Sequence, residues 1–88
     1  MATEDEAALR EELRMVEEDL TRLRQTAVEL RERVGERSDS PTDSAEISTL
    51  ITMAEEQEAF AETLEARRKE LLRRLGEREQ AGGEQAGR

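Results

Sequence analysis

Residues 9–34 read LREELRMVEEDLTRLRQTAVELRERV, and the spacing of the apolar letters in this run decides the fold. Leu9, Leu13, Val16, Leu20, Leu23, Ala27, Leu30 and Val34 follow one another in alternating steps of four and three. A helix brings positions spaced in this way onto one side, so the run predicts a helix with a single apolar seam of the a/d heptad kind. Upstream, Thr3 and Glu6 have the spacing of a capping box, and Glu4 and Asp5 suit the positive end of a helix dipole. Downstream, Gly35 stands where a left-handed residue would end the helix. The sequence therefore predicts helix 1 over about 4–34 and a turn over 35–40.

A second seam follows. Ser40, Pro41 and Asp43 have the character of an N-cap, a first helical position and an acidic first turn. Ile47, Leu50, Ala54, Gln57, Ala61, Leu64, Arg68, Leu71 and Leu75 again alternate steps of three and four, which predicts helix 2 over about 41–79. Residues 81–88 are Gly-rich and carry no seam position, so they read as a disordered tail. Residues 1–80 thus form one helical hairpin. Gln57 and Arg68 put polar groups in the seam, which commonly fixes register at some cost in stability. Ala27, Ala54 and Ala61 predict a narrow waist where the helices approach closely.

A short connection between helices of similar length makes them antiparallel neighbours. Charge points the same way. Helix 1 is acidic from Glu4 to Asp19 and basic through Arg22, Arg24, Arg31 and Arg33. Helix 2 is acidic through Glu55, Glu56, Glu58, Glu62 and Glu65, then basic through Arg67, Arg68, Lys69, Arg73, Arg74 and Arg78. Folding the chain at the turn sets acidic against basic along both arms, whereas a parallel pairing would set acid against acid. The fold class is therefore all-α, an antiparallel two-helix coiled-coil hairpin.

Composition bounds the rest. The 88 residues are 42% charged and 34% apolar, with Phe60 the only aromatic, a balance suited to long helices with one seam and not to a layered core. A lone hairpin of this size is marginal in stability. Ile51, Met53, Phe60 and Leu72 lie beside the helix 2 seam, where a two-stranded pairing does not need them. They predict a second contact face, for a homodimer closing into a four-helix bundle or for another protein.

The absence of Cys and His removes the usual zinc ligands, the thiol nucleophile and the imidazole base. The abundant glutamates are explained by i, i+4 pairing with arginine, so no enzyme activity and no cofactor are expected. The net charge of −9 disfavours phosphate backbones and anionic membranes, and no uncharged apolar run could span a bilayer. The acidic N-terminus has no apolar core of a secretory signal, and with no cysteine present a cytoplasmic setting is expected. Of the 14 basic residues only Lys69 is lysine, a bias that suggests a GC-rich bacterial genome.

At the turn, Asp39, Asp43 and Glu46 could share a divalent cation with a partner, but helix capping and the dipole already account for carboxylates there. The segment Asp39-Ser-Pro-Thr-Asp43-Ser-Ala45 resembles the acidic tip of DksA-type proteins, and Ala54-Glu-Glu-Gln-Glu-Ala-Phe60 is similar to the second helix of Gre factors. These families put a coiled-coil hairpin into the secondary channel of RNA polymerase. The resemblance implies a transcription effector acting through its acidic tip. It covers the hairpin alone. The zinc-binding cysteines of the DksA family and the β-domain of Gre factors have no counterpart in these 88 residues, and the tip has one extra residue between its aspartates. Composition and pattern together lead to a non-enzymatic protein-binding module, a small adaptor or regulator. The alternatives are an effector of RNA polymerase or of a sigma factor, and a scaffold subunit that extends the coiled coil.

Overall fold

The computed structural model describes the backbone of residues 2–38 and 44–86, and the side chains of 5–37 and 44–80. Two helices account for the described residues, α1 (Ala2–Ser38) and α2 (Ser44–Ala86), packed against each other as a hairpin 71 Å long, 19 Å wide and 13 Å thick. Their antiparallel course is tied at both ends: Arg10 of α1 reaches Glu79 at 3.4 Å, and Arg37 reaches Glu46 at 2.8 Å.

The seam follows the heptad pattern. On α1, Val16, Leu20, Ala27 and Leu30 are buried, and Leu9, Leu13, Leu23 and Val34 are partly buried. On α2, Ala54, Ala61, Leu71 and Leu75 are buried, and Ile47, Leu50, Gln57, Leu64 and Arg68 are partly buried. Val16, Leu20, Ala61 and Leu71 form the centre, with Leu9, Leu13, Leu23 and Leu64 packed around it. Ala54 has no exposed surface, as expected where a small side chain lets two helices approach. Among the described residues every buried polar side-chain atom has a hydrogen-bond partner, so the thin core carries no desolvation penalty of that kind.

The helix ends differ from the sequence expectation. α1 already begins at Ala2, so the backbone of Thr3 lies inside the helix and not at its start, and Glu6 accepts from Arg10 at 2.7 Å. α1 continues past Gly35 to Ser38, and α2 past Gly76. Neither glycine takes a positive φ, so neither acts as a left-handed stop. A glycine costs roughly 1 kcal/mol against alanine inside a helix, which lowers stability without blocking the backbone as proline does. Flanking Arg33, Glu36 and Arg37 are good helix formers, and the Arg37–Glu46 pair rewards extension of α1. For the same reason the helical backbone of α2 runs to Ala86, into the stretch 81–88 that the composition marks as disordered. The expected cap at Ser40, Pro41 and Asp43 lies outside the described residues.

Candidate functional site

Heptad letters sort the surface. With a at Leu20 and Ala61, and d at Leu23 and Leu64, the positions flanking the seam are e and g. In an antiparallel pair e faces e along one side of the hairpin and g faces g along the other.

The e side is closed by ion pairs along its length. Arg31 meets Glu58 at 2.8 Å, Arg24 meets Glu65 at 2.8 Å, and Arg10 meets Glu79 at 3.4 Å. Arg68 reaches from the seam to Glu17 at 3.1 Å and to Glu65 at 3.2 Å. The hydrogen bond from Arg31 holds the Glu58 carboxyl below the usual carboxylate range, and that from Arg24, with Arg68 assisting, does the same to Glu65. The seam arginine is thus a register element, matched to carboxylates on both helices.

The g side is different. Arg78 pairs with Asp5 at 3.4 Å and Arg67 with Glu12 at 2.6 Å near the chain ends, and Arg37 pairs with Glu46 near the tip. One heptad from the Arg67–Glu12 pair, Phe60 stands level with Asp19, and one heptad further Met53 stands level with Thr26. No cross-helix ion pair joins the described residues in this gap. Phe60 is 61% exposed and rests at the rim of a shallow groove with Asp19, Arg22, Leu23 and Leu64. Met53 is 44% exposed, and Met15, one turn before Asp19 on the same side of α1, is 53% exposed. Asp19 and Arg22 are paired with each other. The result is an apolar opening of Met15, Phe60 and Met53, closed at each end by charge pairs.

The four residues expected to form one contact strip therefore divide. Met53 and Phe60 share the g side. Ile51 and Leu72 occupy e positions on the opposite side, where Ile51 is partly buried and Leu72 lies level with Glu17. Neighbourhood to the seam does not tell these sides apart, and only the heptad letter does. Two exposed apolar residues, Met15 and Val28, come from α1 and not from the helix 2 flank where the second face is expected. Val28 is 51% exposed on the e side beside Arg31 and Glu58.

Of the tip carboxylates, Asp39 and Asp43 lie outside the described residues, while Glu46 is engaged by Arg37. Among the described residues no three His, Cys, Asp or Glu side chains are grouped so as to hold a metal ion. No helix is long and apolar enough to cross a membrane, within the same residues. The basic cluster is largely occupied: Arg73 and Arg74 both bond Glu70, drawing its carboxyl down to about 2, Arg73 also pairs with Glu77, and Arg67 bonds Glu12. Compared with protein-family models, with curated proteins and with solved structures, the chain matches none.

Proposed function

We propose that this chain is a non-enzymatic protein-binding module, a small cytoplasmic adaptor or regulator, and that it binds through the g side of the hairpin. The observation that carries this reading is Phe60, the sole aromatic of the chain, left 61% exposed in a stretch without cross-helix ion pairs. Large apolar side chains kept in water, grouped on one side and rimmed by charges, mark a protein contact more often than a fold requirement. An aromatic anchor with two exposed methionines on the same side of the hairpin suits such a contact. The opposite side, locked by ion pairs, supports the hairpin and leaves less free apolar surface.

The test is affinity capture from the source cell with four tagged chains: wild type, Phe60→Glu, Val28→Glu and Asp39→Asn/Asp43→Asn. The reading expects a specific protein retained by wild type and Val28→Glu and lost with Phe60→Glu. Retention by Phe60→Glu together with loss in Asp39→Asn/Asp43→Asn would overturn it in favour of an effector acting through the tip.

A further inference from the structure

The charge order that closes the hairpin is also suited to a second copy. α2 carries Glu46, Glu55, Glu56, Glu58 and Glu62 before residue 65 and no basic residue there, while its arginines and lysine all follow. Phe60 stands just before this change of sign. On the g side itself this order leaves Glu46 as the acid and Arg67 and Arg74 as the base, since Glu55, Glu58 and Glu62 fall toward the e side, so two α2 helices laid antiparallel and crossing at Phe60 set Glu46 of each against the basic end of the other. Counting along the g positions gives the partners. Glu46, held by Arg37 in its own hairpin, falls level with Arg74 of the second copy, itself bonded to Glu70, so that pair would extend two existing ones, and Met53 falls level with Arg67 of the second copy, whose aliphatic stem can cover the thioether.

The same two-fold acts on α1. Its axis passes at the level of Asp19, so Asp5 falls level with Arg33 of the second copy. Arg33 is exposed and has no ion partner among the described residues of its own hairpin, so this contact gives it one and gives Asp5, already held by Arg78 at 3.4 Å, a second cation. The two Asp19 side chains approach each other near the axis, each already neutralised by its Arg22. Met15, Phe60 and Met53 become the apolar centre of four helices.

We infer that the Phe60 face binds a second copy of this chain in antiparallel fashion, Phe60 against Phe60, with Glu46–Arg74 and Asp5–Arg33 pairs at the edges. The inference rests on the reading of this face as a protein-binding surface and names its occupant. A two-fold interface uses one patch twice, so a face on which each helix runs from acid to base, the two helices in opposite order, is self-complementary when each helix meets its own copy reversed. The net charge of −9 opposes approach at long range. That repulsion is screened beyond about 8 Å at physiological ionic strength, whereas the edge pairs meet in contact.

Sedimentation equilibrium of the full chain over micromolar concentrations tests this, with circular dichroism showing that each variant keeps its helicity. Wild type should be a dimer, stronger in about 150 mM than in about 10 mM salt. Phe60→Glu should weaken it at least about tenfold, and Val28→Glu on the other side should not. Glu46→Arg should weaken it, and Glu46→Arg/Arg74→Glu should recover most of the loss. Phe60→Cys should give a covalent dimer on mild oxidation, and Val28→Cys should not. A wild-type chain that is folded and monomeric at high concentration overturns self-association while the capture experiment with Phe60→Glu still decides the protein-binding reading. A dimer that survives Phe60→Glu and is lost with Val28→Glu overturns the assignment of the face.

Discussion

Arg31 holds Glu58 across the hairpin through two hydrogen bonds, Nε to Oε2 at 3.1 Å and Nη2 to Oε1 at 2.8 Å. This fork is the most regular link between α1 and α2, and it fixes the register that the seam alone would allow to slip by a heptad. Both groups are exposed, so the pair selects an alignment more than it adds stability. Glu58→Arg should lower the melting temperature by placing two cations together, and the exchange Arg31→Glu/Glu58→Arg should restore most of it. Thermal circular dichroism reads the effect, which should shrink in about 1 M salt. Equal melting temperatures for the single and double variants would mean that the two side chains do not meet.

Adjacent leucines on α2 give a sharper test of the seam. Leu71 has no exposed surface and Leu72 is 41% exposed. Leu71→Ala should cost about 2–5 kcal/mol, as deletion of a buried leucine side chain does. Leu72→Ala should cost about 0.5 kcal/mol or less. Leu20, 2% exposed, should tolerate a charge still less, so Leu20→Asp should melt the hairpin. Chemical denaturation of the four proteins checks the order.

Gln57 is the one uncharged polar residue in the α2 seam, partly buried and level with Ala27. Gln57→Leu should raise stability by about 1 kcal/mol, because an apolar side chain replaces an amide beside a small neighbour. Denaturation midpoints would show the gain, and a loss would mean that the waist has no room for a branched side chain.

These residues show how much of the structure was legible from the sequence. Both seams were, from Leu9 to Val34 and from Ile47 to Leu75, because an unbroken three–four spacing admits one face of a helix and no strand. The antiparallel sense was legible from the order of Glu and Arg. The ends were not. Gly35, Gly76 and the Thr3–Glu6 spacing are local signals, each worth only about 1 kcal/mol, and cooperative extension of a long helix outweighed them. The candidate face was legible in part. Phe60 and Met53 stand out as surplus to a two-stranded seam, but assigning them to one side and Ile51 and Leu72 to the other needs the register. Met15 comes from the other helix and joins Phe60 only once the two are aligned.

The pH dependence follows from the carboxylates that arginine holds. Hydrogen bonds from Arg73 and Arg74 draw Glu70 down to about 2, and Glu11, Glu58 and Glu65 are also lowered, by Arg14, Arg31 and Arg24 respectively. A carboxyl lowered in the folded chain takes up its proton later than in the unfolded chain. Its contribution to stability is therefore present above the ordinary value of 4.5 and fades as the pH falls toward about 2. The melting temperature should drop over this window, and Glu70→Gln should make the drop shallower. Carboxyl carbon NMR should place the Glu70 midpoint near the bottom of the window. A Glu70 midpoint near 4.5 would show that the two arginines do not hold it.

Closure of α1 onto α2 within one chain underlies everything above, since the g side exists only if the hairpin folds back on itself. Spin labels on Glu18→Cys and Ala66→Cys, two exposed positions on the outer faces of α1 and α2, report it directly by pulsed dipolar spectroscopy. The doubly labelled chain is diluted in excess unlabelled chain, so that only distances within one molecule are seen. Two helices 8–10 Å apart with labels on their outer faces predict a narrow distribution at about 25–30 Å. A distribution near 70 Å, about 1.5 Å for each intervening residue, would mean a continuous helix that pairs with other chains, and would contradict the hairpin.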